Sequence, residues 1–148
     1  MKCCRIMIFS VLFVVLFSAV FCTGYAAAEG GLDIIVIANK DAPQKKLSMD
    51  EIQKIFTGKT TMWSSNEKII IALLKDDQIH KAFLKKYVKR TSSQFKNTWR
   101  QMVFTGKGDA PKKFATIEEL ISFVSGNRLA IGYITNSASD NKIRIISD

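Results

Sequence analysis

Ile69-Ile70-Ile71-Ala72-Leu73-Leu74-Lys75-Asp76-Asp77-Gln78 is the stretch that decides the fold class. An unbroken apolar run opened by three isoleucines reads as a strand buried on both faces. Asp76 and Asp77 follow at once, and their carboxylates cap the free N–H groups of a helix running from about Gln78 to Val88. A buried strand that passes straight into a capped helix is the repeating unit of an α/β layer structure.

The pattern extends in both directions. Upstream, Asp33 to Ala38 is a second β-branched run between turn formers and reads as a buried strand. After Pro43, Ser48 and Glu51 form S-x-x-E, a capping box, with Met49, Ile52, Ile55 and Phe56 at helical spacing and Gly58 as the left-handed stop. Downstream, the 78–88 helix places Ile79, Phe83, Leu84, Tyr87 and Val88 on one face and Lys81, Lys85 and Lys89 on another. Thr91 and Gln94 open a third helix with an inward stripe of Phe95, Trp99, Met102 and Val103. A fourth, capped by Thr116 and Glu119, turns Ile117, Leu120, Ile121 and Val124 inward, and Ala130 to Thr135 and Ile143 to Ile146 complete the strands. The expected architecture is a three-layer α/β/α sandwich around a sheet of four to five strands.

The amino terminus carries a different message. Lys2 and Arg5 precede an apolar run from Ile6 to Val20, and Ala26-Ala27-Ala28 precede Glu29, the pattern of a secretory signal peptide cleaved after Ala28. The run is short for a membrane span, and an uncleaved anchor is the alternative. Cys22 follows bulky Phe21, against a lipoprotein signal. All three cysteines, Cys3, Cys4 and Cys22, fall in this segment, so residues 29–148 are expected to form one domain without disulfides, thiolate metal sites or a cysteine nucleophile. The net charge of +9 becomes +7 without Lys2 and Arg5. Lys45-Lys46, Lys85-Lys86 and Lys112-Lys113 are dispersed rather than gathered in one arm. In an exported chain that suits a solvated basic surface, a small anionic ligand or the anionic face of an envelope, and not a nucleic acid.

Three stretches together resemble the phosphate-binding proteins of periplasmic ABC importers: Ile35 to Lys40 (the hinge strand), Leu47 to Trp63 (a helix, then F-x-G-K-x-x-x-W) and Ala130 to Tyr133 (the G-A-I-G-Y strand). The resemblance implies one lobe of a type II periplasmic-binding-protein fold in the periplasm or outside the cell. A complete binding protein of this kind closes two lobes on its ligand, and the first-lobe phosphate loop has no counterpart before Leu32. The family's turn after the strand carries an arginine and a D-G-S-G-T run. Aligned without gaps, Leu74 stands at the arginine, Asp76 at the aspartate, Asp77 at the first glycine, Gln78 at the serine and His80 at the threonine. Lys75 brings a point charge, but not the planar fork of arginine.

Lys75, Asp76, Asp77, Gln78 and His80 are nonetheless the leading ligand-binding candidates, because open α/β sheets bind ligands where a helix starts at the carboxyl end of a strand. Simple helix capping is the alternative for Asp76 and Asp77, and packing for His80, the only histidine. Thr105-Gly106-Lys107-Gly108 resembles the family's glycine loop and offers either an anion nest or a plain helix C-cap. No G-x-S-x-G, H-E-x-x-H or P-loop spacing occurs, so neither an enzyme, a metal site nor a cofactor is expected. Two functions stay open: a single-lobe domain that binds phosphate or another small oxyanion, alone or as a homodimer, and an accessory or sensory module that has lost the ligand and contacts an envelope protein.

Overall fold

The computed structural model describes residues 31–138 and 140–147. The expected signal segment, with its three cysteines, lies outside the described residues. Five strands form one mixed sheet: β1 (Ile34–Asn39), β2 (Ile70–Leu74), β3 (Lys112–Phe114), β4 (Ala130–Thr135) and β5 (Ile143–Ile145), in the spatial order β3-β2-β4-β1-β5. β2 runs parallel to both β3 and β4, while β1 lies antiparallel between β4 and β5.

Helix boundaries follow the local signals. α1 (Met49–Phe56) starts at Ser48, whose hydroxyl accepts from the Glu51 N–H while the Glu51 carboxylate accepts from the Ser48 N–H, and Gly58 follows at φ 74°. α2 (Asp77–Phe83) continues without a break into a π-helical turn over Leu84–Val88, closed by Lys89 in the left-handed conformation at φ 56°. α3 (Ser92–Phe104) repeats the reciprocal capping with Thr91 and Gln94. α4 (Ile117–Gly126) is capped by Thr116, but Glu119 reaches back one residue further than expected and accepts from Ala115 N–H. Met49 and Val103, read as inward-facing, are 43% and 45% exposed.

The chain moves outward from β2 through α2 and α3 to the edge strand β3, then back past β2 through α4 to β4. Crossovers of one hand that run in opposite directions must lie on opposite faces of the sheet. Side chains on β4 agree. A Cβ on Gly132 would stand 3.0 Å from the Leu120 side chain of α4, whereas its neighbour Tyr133 stacks on Phe83 of α2. One face therefore carries α4 and the other carries α1, α2 and α3, giving the three layers.

The three-helix face is organised around an aromatic cluster. Tyr133, fully buried, lies 3.9 Å from Phe83 with the rings 5° from parallel. Phe56 of α1 meets Phe83 edge-on at 4.6 Å, and the indole N–H of Trp99 on α3 donates to the Phe56 carbonyl at 2.9 Å. Such ring pairs add about 0.5–1.5 kcal/mol each beyond the area they bury. On the opposite face Asn39, the buried polar side chain among the described residues, donates to the carbonyls of Val124 and Ser125 and ties the end of α4 to β1. No helix among the described residues is long and apolar enough to cross a membrane.

Two substitutions test this packing. Gly132→Val places new methyl groups against Leu120 and the Ala72 carbonyl, 3.3 Å from the Cβ position. A loss of about 1–3 kcal/mol is expected in urea unfolding. Tyr133→Phe keeps the stack but strips the hydroxyl that accepts from Leu74 N–H, and a buried donor without its partner costs about 1–3 kcal/mol. Unchanged midpoints for both would contradict the layer arrangement.

Candidate functional site

β2 ends at Leu74 and delivers Lys75, Asp76 and the start of α2 to the carboxyl edge of the sheet. Asp76 turns its carboxylate back over the helix start, where Oδ1 accepts from the N–H groups of both Gln78 and Ile79 at 2.9 Å. The positive end of α2 thus already holds an anion, and it belongs to the chain itself. Asp77 stands exposed beside it, 4.0 Å from Lys81 one turn on. Lys75 and Gln78 are exposed, and the Lys75 N–H donates to the Phe114 carbonyl of β3.

His80 points inward from the same helix. Its Nδ1 lies 2.6 Å from the Tyr133 hydroxyl, which also accepts from Leu74 N–H at 3.2 Å. With its oxygen receiving that N–H, the phenol is the natural donor to Nδ1, which leaves the imidazole proton on Nε2. The electrostatics agree. Burial lowers the His80 pKa from its ordinary 6.5, the charge of Lys113 lowers it further, and Asp77 opposes them. Burial pushes the Tyr133 phenol far above 10.0. Both groups are neutral near pH 7, and two hydrogen bonds run in series, from Leu74 N–H to the Tyr133 oxygen and from the Tyr133 hydroxyl to His80 Nδ1.

The second predicted segment lies at the other end of α3. The N–H groups of Thr105, Gly106 and Lys107 donate to the carbonyls of Gln101, Val103 and Met102, with Gly106 at φ 67°. These three donors close the helix, and in this conformation none is turned toward a ligand. The fold does not bring Thr105, Gly106 or Lys107 into the lining that Asp77 and His80 share.

That lining belongs to a groove of about 630 Å³ between α2, α3 and the β2–β3 edge. Its floor is apolar: Leu73, Phe95, Trp99, Ala110 and Pro111. His80 contributes from α2, with its ring 5.4 Å from that of Phe95. Leu73 and Lys113 are register partners across β2 and β3, so Lys113 projects on the same face. Lys96 and Arg100 stand one turn apart on α3, and Val103 and Phe104 extend the wall, with Phe104 91% exposed. None of Lys96, Arg100 and Lys113 forms an ion pair or side-chain hydrogen bond among the described residues. Among those residues no group of three His, Cys, Asp or Glu stands close enough to hold a metal ion.

Asp77 and His80 were legible as site residues; Lys96, Arg100, Lys113 and Phe104 were not. A signal existed in α3. Lys96 and Arg100 place like charges at i, i+4, which mildly disfavours a helix, on a stripe flanking the aromatic one. Lys113 offered none, because only the pairing of β3 with β2 turns it toward α2.

Comparison with known proteins bears on this geometry. A family profile for PBP superfamily domains matches residues 31–147. Solved structures with the same fold include a phosphate ABC transporter substrate-binding protein from Clostridium perfringens with bound phosphate, at 24% identity and TM-score 0.61, covering 77% of this chain and 44% of that one. An ABC-type phosphate transport receptor from Vibrio cholerae matches at 14% identity and TM-score 0.54, covering 77% and 45%. PstS from Borrelia burgdorferi matches at 16% and 0.61, covering 78% and 46%. The chain therefore spans less than half the length of each of these structures, and at such identities the likeness speaks for the fold. No curated protein sequence matches significantly. With the profile covering the whole five-stranded sheet and its helices, the chain belongs to the PBP superfamily domain family.

Proposed function

We propose that this chain is an exported, non-catalytic binding module that captures a small anion on the face of one lobe. The observation that carries the reading is the set of three cations, Lys96, Arg100 and Lys113, that form no ion pair among the described residues and line one groove at the carboxyl edge of β2 together with half-buried His80. Three cations against one carboxylate, Asp77, leave the groove with a net positive charge, which favours an anionic ligand. The names of the relatives point to phosphate for those proteins. Here Asp76 occupies the helix start with its own carboxylate, so the groove side, reached from Lys75 and Gln78 past Asp77 and His80, is the better place for an anion. Thr105, Gly106 and Lys107 contribute by ending α3 where its Val103 and Phe104 wall stops. A second reading, protein contact through this face alone or with a second copy, is favoured by the near-complete exposure of Phe104.

The basic start, apolar run and Ala26-Ala27-Ala28 of residues 1–28 support export to the periplasm or outside the cell. Mass spectrometry of the protein recovered from producing cells should find Glu29 as the first residue; a chain that retains Met1 would overturn cleavage.

Anion capture beside a histidine has a pH signature. The depressed His80 pKa means that the free protein keeps the ring neutral above 6.5 and protonates it only below that value. A bound anion favours the imidazolium, so affinity must rise as pH falls through and below 6.5. Stability moves the other way, because the unfolded chain takes up this proton first. Sulfate, whose charge is constant over this range, should bind more tightly at about pH 5.5 than at about pH 8 by titration calorimetry, and His80→Gln should flatten the dependence. A pH-independent affinity would remove His80 from the site.

A further inference from the structure

We infer that the groove between α2 and α3 takes an amphipathic organic anion, one with an apolar body and a phosphate or carboxylate head, rather than a free inorganic ion. The inference deepens the anion-binding reading above and rests on it. Three observations carry it. The first is size: about 630 Å³ lies in the middle of the range for organic-ligand pockets, ~300–1,000 Å³, and a phosphate ion would fill only a corner of it. The second is the lining. Phe95, Trp99, Leu73 and Pro111 present rings and methyl groups that offer nothing to a hydrated inorganic ion but gain from covering an aromatic or alkyl body.

The third is the separation of chemistries along the groove. Lys113 stands next to His80 at the sheet edge, close enough for its charge to act on the imidazole. Lys96 and Arg100 rise one turn apart on the α3 side, and the apolar floor runs from there to the exposed ring of Phe104. A guanidinium can grip a carboxylate or phosphate through two parallel hydrogen bonds, with lysines adding charge around it. The head then lies among Lys96, Arg100 and Lys113, and the body lies along Trp99 toward Phe104. Covering Phe104 removes from water a large ring that the chain otherwise leaves bare.

The test uses four probes on the purified protein: phenyl phosphate, 4-phenylbutyrate, inorganic phosphate and benzyl alcohol. Binding is read by the fluorescence of Trp99, with Trp99→Phe assigning the signal against Trp63, and by the thermal unfolding midpoint. The two aryl anions are expected to bind at least tenfold more tightly than either inorganic phosphate or the neutral alcohol. The double variant Lys96→Gln/Arg100→Gln changes only exposed side chains. It should weaken the aryl anions by about tenfold or more, as expected for loss of charge-assisted bonds. Phe104→Ser should weaken them without altering the response to inorganic phosphate. The pair Lys45→Gln/Lys142→Gln, exposed and near β5 at the sheet edge opposite β3, controls for net charge and should change nothing. If inorganic phosphate binds as tightly as phenyl phosphate and ignores Phe104→Ser, the amphipathic class is wrong while anion capture stands. If benzyl alcohol binds as well as the anions, the cationic head site is wrong. If no anion shifts either readout, this inference and the anion-binding reading fall together, and protein contact through the groove takes their place.

Discussion

Tyr133 is the residue on which the arrangement hangs. It leaves β4 toward the three-helix face, stacks flat on Phe83 and sends its hydroxyl to the end of β2, where it receives Leu74 N–H. β2 and β4 are paired only through Ile70 and Ile71, so by Leu74 the ladder has run out and a side chain completes it. One phenol therefore satisfies a strand end, supports the first helix after that strand and hydrogen-bonds His80 Nδ1. Phe56 and Trp99 attach α1 and α3 to the same cluster. Leu73, Phe95 and Trp99 belong at once to the groove lining and to the core.

This layout separates two jobs that a helix N-terminus could have combined. In α2 the terminal N–H groups are consumed by Asp76, a local solution that stabilises the short helix whatever else is bound. The positive charge available to a ligand sits instead on side chains from α3 and β3. Side-chain cations adjust to an anion of irregular shape, whereas a cradle of backbone N–H groups fits one small shape.

Much of the fold could be read from the chain because its instructions are local. Ser48 with Glu51 and Thr91 with Gln94 cap within one turn, and the isoleucine-rich runs admit little besides buried strands. β3 escaped notice because Lys-Lys-Phe has no apolar pattern of its own; it is a strand only because Leu73 and its neighbours offer a ladder. The antiparallel seat of β1 between β4 and β5 was likewise invisible, since pairing between residues a hundred positions apart leaves no mark on either run. The π-helical turn over Leu84–Val88 preserves the apolar face that helical spacing announced while changing the winding beneath it. The site divides in the same way. Asp77 and His80 lie in the turn that announces the fold, but Lys96, Arg100 and Lys113 come from elements that meet only after folding.

The sheet's outer boundary at β3 has a consequence for how this domain can associate. The strand is three residues long, Pro111 precedes it without an N–H to offer, and Lys112 and Lys113 place charge along it. A border so short and so charged refuses the addition of a foreign strand. The route by which sheet proteins most readily polymerise is closed on that side, and any stable neighbour there must approach through the helices rather than continue the ladder.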